Sequence, residues 1–280
     1  MTVYTTRSEL SRYRDDLVSR GKSIGLVPTM GALHPGHISL VERSTAENDI
    51  TVVSVFVNPT QFNDPSDLHK YPRTPGKDLE LLRACGADVM FSPSEEEMYP
   101  DTEPVTYDLG GLDETMEGAL RPGHFDGVAQ IVSKLFETIR PHRAYFGQKD
   151  FQQLVIIRHL VKLLKLDIQI IDCPIIRERD GLALSSRNVL LTPEQRQFAP
   201  FIHHTLVRAR ELSRTLTPRD VKTWVTLQFE QHPHIELEYF EIVDDNNLKP
   251  VKSWRDQTNK VGCIAVRLGE TRLIDNIFFD

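Results

Sequence analysis

Runs of β-branched and aromatic residues alternate with helix-length segments through the first half of this chain, and that alternation limits the fold more than any other feature. Candidate strands cover 23–28 (SIGLVP), 50–57 (ITVVSVFV), 87–93 (ADVMFSP), 143–147 (RAYFG) and 166–171 (LDIQII); several are continuous apolar runs, as in strands covered by helices on both faces. Helix-like segments occupy 36–48, 76–85, 127–139 and 151–164. The natural assembly is a doubly wound, Rossmann-like parallel sheet that binds ligands at the carboxyl ends of its strands. After Cys173-Pro174 the pattern changes. Thr192, Pro193 and Gln195 offer an N-cap, a first-turn proline and a capping-box glutamine, which predicts one long helix to about Ser213. A second helix is expected from Thr217-Pro218, then three strands at 235–244, 260–268 and 271–279. The expected fold is therefore α/β, with a Rossmann-like N-terminal domain at 1–175 and a smaller α+β C-terminal domain at 176–280.

At 280 residues and 40% hydrophobic content, the chain can bury a core of one large or two modest domains. No apolar stretch reaches 18 residues and the N-terminus lacks the apolar centre of a signal peptide, so a soluble cytoplasmic protein with no membrane partner is expected. Cys85, Cys173 and Cys263 are far apart and form no CxxC, which speaks against a disulfide framework or a structural zinc site and for buried small hydrophobes. The formal charge of −7, without a run of lysine and arginine, speaks against a nucleic-acid partner. A small anionic substrate remains compatible, because a cleft can concentrate positive charge locally.

The sharpest motif is PTMGALHPGH, residues 28–37, which follows a predicted strand and opens a predicted helix. His34 and His37 are three apart, so both rings project from the helix end that carries unpaired N–H groups and the positive pole of the dipole. Triphosphate suits that arrangement; taken alone, the motif also reads as a Pro-Gly helix start with incidental histidines. Three further segments lie past predicted strand ends. Ser185, Ser186 and Arg187 in LSSRN could donate to phosphates from a mobile loop, or form an ordinary serine-rich loop. Lys149 in GQKDFQQ could reach phosphate, with Gln153 one turn on; Asn58 and Gln61 in VNPTQF carry neutral amides, although Asn-Pro is also a common turn. All four sit where a doubly wound sheet binds ligands, which points to nucleotide binding with chemistry at a phosphate.

The blocks VPTMGALHPGHISLV, FVNPTQF, YPRT, RPGHFDGVAQIVSKLF, GQKDFQQL, DGLALSSRN, YFEIVD and TRLIDN occur in this order, and with them the chain resembles the pantothenate synthetase family along nearly its whole length. The resemblance implies a two-domain, homodimeric pantoate–β-alanine ligase of the HxGH nucleotidyl-transferring superfamily that uses ATP and Mg2+, with 1–175 binding ATP and pantoate and 176–280 as a lid. It assigns to ATP the residues Met30, Gly31, Ala32, Leu33, His34, Pro35, Gly36 and His37, then Gly147, Gln148, Lys149, Asp150, Ile176, Leu184, Ser185, Ser186 and Arg187. His37 takes the proton-donor role with His34 beside it, and Lys149, Ser185, Ser186 and Arg187 serve the phosphates. Gln61 and Gln153 correspond to the pantoate pair, Gln61 also near β-alanine, with Asn58 alongside. Three positions depart from the family: Gln148 where glutamate is usual, Leu184 where methionine is frequent, and Lys77 where an acidic residue commonly precedes Asp78. The last leaves Asp78 as the protein carboxylate expected near magnesium.

The implied reaction is attack of the pantoate carboxylate on the α-phosphorus of ATP, then attack of the β-alanine amine on the acyl adenylate. It needs no covalent enzyme intermediate, which suits the lack of a catalytic serine or cysteine motif. A nucleotidyltransferase acting on a phosphorylated acceptor is the nearest rival; the neutral Gln61 and Gln153 speak against it. A nucleotide-binding regulator without turnover is the alternative of another class.

Overall fold

The apolar runs become strands of one sheet. The structure, a computed structural model, describes residues 1–100 and 105–279. Strands β1 (Thr2–Tyr4), β2 (Ile24–Thr29), β3 (Ile50–Val55), β4 (Val89–Phe91), β5 (Arg143–Gly147) and β6 (Gln169–Cys173) pair in parallel in the order β1-β4-β3-β2-β5-β6. From β2 the chain runs outward through β3 and β4 and then returns to the other side of β2 as β5, so the strand order reverses there. That reversal opens a crevice at the carboxyl end of β2, where the PTMGALHPGH motif begins. β1 was not expected, because a three-residue edge strand with two exposed residues carries almost no apolar pattern.

The chain forms two compact units, Met1–Gln148 with Ile156–Pro174, and Lys149–Val155 with Ile175–Asp280. In the first, Val27, Val53, Leu40, Val41, Leu82 and Met90 are buried together. Each such side chain contributes about 1.5–3 kcal/mol on burial. The helix Pro35–Glu47 lies close on β2 and β5 because residue 25 is glycine: a Cβ there would collide with the Ser44 hydroxyl and the Asn48 amide. Its far end is pinned. Tyr145 on β5 donates to Glu47 (2.9 Å) and accepts from Asn48 (2.7 Å), and burial pushes its phenol up to about 12, so it stays a donor. Arg43 reaches the Asp172 carbonyl in β6 at 2.7 Å.

In the second unit, antiparallel strands β7 (Glu236–Asp244), β8 (Lys260–Leu268) and β9 (Thr271–Phe279) form a three-stranded sheet. Ile202, Leu206, Val221, Val225, Phe240 and Ile264 are among its core residues. The expected capping box forms in full, with the Thr192 hydroxyl accepting from Gln195 N and the Gln195 side chain accepting from Thr192 N. The single long helix does not. Two helices, Pro193–Phe198 and Phe201–Leu212, stand in its place, because Pro200 has no N–H to continue the ladder and its ring crowds the carbonyl four residues back. Cys173 and Cys263 are buried as expected, whereas Cys85 is only partly covered; all three are free thiols. Among the described residues no helix is long and apolar enough to cross a membrane.

Candidate active site

At the carboxyl end of β2 the chain turns sharply before entering the Pro35–Glu47 helix. Gly31 (φ +80°) and Ala32 (φ +49°) are both left-handed. For alanine that conformation is strained by about 1–3 kcal/mol, so the surroundings must hold it. Thr29 begins the turn: its hydroxyl donates to the Ser54 carbonyl (2.7 Å) and accepts from Gly31 N (3.2 Å). Asp78, 1% exposed, completes it. One carboxylate oxygen accepts from Ala32 N at 3.0 Å; the other accepts from Leu33 N at 2.9 Å and from the Thr74 hydroxyl at 3.1 Å.

His34 is the N-cap of the helix and His37 lies in its first turn, with ring centroids 4.0 Å apart. His34 Nδ1 accepts from Gly36 N (3.1 Å) and His37 Nδ1 accepts from His34 N (3.4 Å). With Nδ1 used as an acceptor in both rings, each neutral imidazole carries its proton on Nε2. The helix start thus presents two Nε2–H donors beside its own N–H groups, a set suited to phosphate oxygens.

Past β3, Gln61 ends a single 3-10 turn, Pro59–Gln61. Its amide is oriented on both sides: Oε1 accepts from Asn58 Nδ2 at 3.3 Å, and Nε2 is 2.8 Å from Met30 Sδ. Asn58 is 1% exposed and its amide is fully used, donating also to Gly127 O (3.0 Å) and accepting from Tyr99 (2.6 Å) and Thr60 (3.1 Å). Burial raises the Tyr99 phenol, which keeps it a donor to Asn58. The Gln61 carbonyl meets His124 Nδ1 at 2.7 Å, and Arg121 lies 3.2 Å from His124 Nε2. Gly127 permits this approach, since a Cβ there would collide with the Thr60 carbonyl. Met30 to His37, Asn58 and Gln61 therefore come together in the first unit.

Gly147 ends β5, and Gln148 after it donates to Asp172 (2.7 Å), which also holds Arg158 (2.9 Å). A glutamate at 148 would face Asp172 with like charge, which accounts for the amide here. In the second unit, Lys149 Nζ pairs with Asp150 at 3.3 Å, and the Lys149 carbonyl accepts from Asn276 at 3.0 Å. Gln153, two residues into the helix Phe151–Leu163, makes no side-chain hydrogen bond among the described residues. Ile176 and Leu184 are paired across a tight turn closed by Gly181 (φ +95°), with Leu184 N donating to Ile176 O at 2.9 Å. Arg177 anchors that hairpin to β9 through two bonds to Asp275, at 2.6 and 2.9 Å. Ser185 caps the 3-10 turn Ser186–Leu190, its hydroxyl accepting from Arg187 N. The second unit thus brings Ile176 and Leu184 to Arg187 into one short segment.

The model of the pantoate-beta-alanine ligase family matches residues 2–278. The chain belongs to that family. It is 55% identical to the pantothenate synthetase of Bacteroides fragilis over 277 residues, 99% of this chain and 98% of the relative. Identity to the Porphyromonas gingivalis pantothenate synthetase is 53% over the whole of both chains. Among solved structures, pantothenate synthetase from Thermus thermophilus aligns with a TM-score of 0.91 at 41% identity, covering 99% of each chain. The Francisella tularensis pantoate-beta-alanine ligase, complexed with beta-gamma ATP and beta-alanine, aligns at 0.79 with 35% identity, covering 99% of this chain and 97% of that one. The parallel-sheet fold expected from the apolar runs is the fold of this family.

The sequence reading did not single out Tyr99, His124 and Gly127, which stand behind Asn58 and Gln61 in the candidate site. The RPGHFDG block containing His124 and Gly127 was a usable signal, since a Gly-Gly spacing around a histidine at a helix start marks a close backbone approach. Asp78, expected near magnesium, accepts from Ala32, Leu33 and Thr74 behind the histidine turn.

Proposed function

We propose that this protein joins pantoate to β-alanine in two steps, consuming ATP and releasing pyrophosphate and then AMP. The observation that carries this reading is the histidine pair at the start of the Pro35–Glu47 helix, at the reversal point of the sheet, with the oriented amide of Gln61 against Met30. In the first step the pantoate carboxylate attacks the α-phosphorus. Charge grows on the phosphate oxygens, and Nε2–H of His34 and His37 with the helix N–H groups stabilise it, without reorganising at the moment of reaction. Gln61 and Gln153 hold pantoate through its hydroxyls and carboxylate, so the nucleophile is positioned before attack. Asn58 serves that subsite by fixing the Gln61 amide. In the second step the free amine of β-alanine attacks the acyl carbon and AMP departs.

Lys149, Ser185, Ser186 and Arg187 supply further phosphate donors, with backbone contacts to the nucleotide from Gly147 to Asp150, Ile176 and Leu184, and the C-terminal domain serving as lid. Mg2+ accompanies ATP as part of that substrate: among the described residues no three His, Cys, Asp or Glu side chains gather as a metal cage. Phosphate oxygens and water suit this ion, which gives up water reluctantly. The family resemblance supports a homodimer working in the cytoplasm.

The products test this reading. With ATP, Mg2+, pantoate and β-alanine, the nucleotide formed is expected to be AMP, in equal amount to pantothenate and dependent on both acids. ADP as product, or AMP retained on the organic product, contradicts it.

A further inference from the structure

We propose that Asp78 is a positioning residue for His34 and His37, acting through the turn that delivers them. The inference rests on the adenylate chemistry proposed above. The turn has two consecutive left-handed residues, and only one of them is glycine. A left-handed alanine relaxes unless its backbone is held. The far end of the Pro35–Glu47 helix is held by Gly25, Tyr145 and Arg43, but those contacts fix the helix axis and leave the entry angle open. Entry is fixed by Asp78, whose two oxygens take the N–H groups of Ala32 and Leu33, the two residues before the N-cap His34. Thr74, the N-cap of the helix Pro75–Ala84 that carries Asp78, adds a third donor to the same carboxylate.

The fit is close. A Cβ added at Gly31 would lie 3.0 Å from the Asp78 carboxylate and 3.2 Å from Val55, so the turn is seated between helix and strand without slack. A carboxylate is the side chain for this place, because all three facing groups are donors and it alone presents only acceptors. In Asp78→Asn one oxygen can still serve Leu33 and Thr74. The new NH2 group would then face the Ala32 N–H, donor against donor, at the strained residue. The expected consequence is displacement of both imidazoles. Loss of aim at developing charge lowers kcat, while ground-state contacts to ATP and pantoate made elsewhere persist.

The test compares kcat for AMP formation in four proteins: the native protein, Asp78→Asn, His37→Ala and the double variant. Asp78→Asn is expected to lower kcat by roughly ten- to a hundredfold, with KM for ATP and pantoate within about threefold of native. On the His37→Ala background its cost should be several-fold smaller than on the native one, because one of the two imidazoles it aims is already gone. An equal fold-loss in both backgrounds, or a rise in KM at unchanged kcat, overturns the proposal, since a purely structural acid would act regardless of His37. If Asp78→Asn does not fold, Thr74→Val carries the comparison: a loss of kcat several-fold larger in the His37-containing protein than in His37→Ala supports the proposal, and an equal effect in both backgrounds, including none, overturns it. Failure of the adenylate chemistry itself would appear in the native protein, as no AMP formed from pantoate and β-alanine.

Discussion

His37→Ala is expected to lower kcat by about a hundredfold or more while the fold stays intact, because it removes a donor aimed at charge that develops only in the transition state. His37 Nδ1 accepts a long 3.4 Å bond from His34 N, and Asp78 and Thr29 hold the turn before it independently. Because the turn is held elsewhere, melting temperature is expected to change by only a few degrees, on the scale of about 1 kcal/mol. A loss of activity that tracks a matching loss of thermal stability would make the residue structural, and a folded variant with native turnover would remove it from the chemistry.

Gln61→Ala is expected to weaken pantoate far more than ATP. A neutral amide 8% exposed, its orientation set by Asn58 on one side and Met30 on the other, suits a carboxylate and hydroxyls. Losing a hydrogen bond to a charged group costs about 1.5–3 kcal/mol, or roughly ten- to a hundred-and-fifty-fold in affinity. Gln153→Ala should follow the same pattern, for an amide that no side-chain hydrogen bond occupies among the described residues. Calorimetric titration of both ligands separates the cases, and equal losses for ATP and pantoate would contradict the division of the subsites.

What could be read in the sequence was local. The histidine motif stood out because Pro35 and Gly36 announce a helix start directly after an apolar strand, and the structure places the helix there, beginning at Pro35. Strands 143–147, 260–268 and 271–279 fall on β5, β8 and β9, since each is rich in apolar, β-branched or aromatic residues. Pro200 carries the signal for the break between the helices Pro193–Phe198 and Phe201–Leu212, and the capping box at Thr192 marks only where the first of them starts. Contacts between distant residues were not legible. Asp78 reaches Ala32 and Leu33 across more than forty positions, as Tyr99 reaches Asn58, and His124 meets the Gln61 carbonyl across 63. No periodicity encodes such pairs; they exist because a parallel sheet gathers the ends of successive strands at one edge.

The central claim is that a pantoyl adenylate forms, reversibly, before β-alanine takes part. Isotope exchange measures this directly. The protein with Mg2+, ATP and pantoate, and no β-alanine, should incorporate labelled pyrophosphate into ATP, and omitting pantoate should abolish the exchange. The donor set supports this order: two imidazoles at a helix start serve an α-phosphate, and the chain has no GxxxxGK[ST] loop of the kind that transfers a γ-phosphate. Absence of exchange with pantoate present, accompanied by ADP as the nucleotide product in the complete reaction, would contradict both the adenylate route and the assignment of His34 and His37 to the α-phosphate.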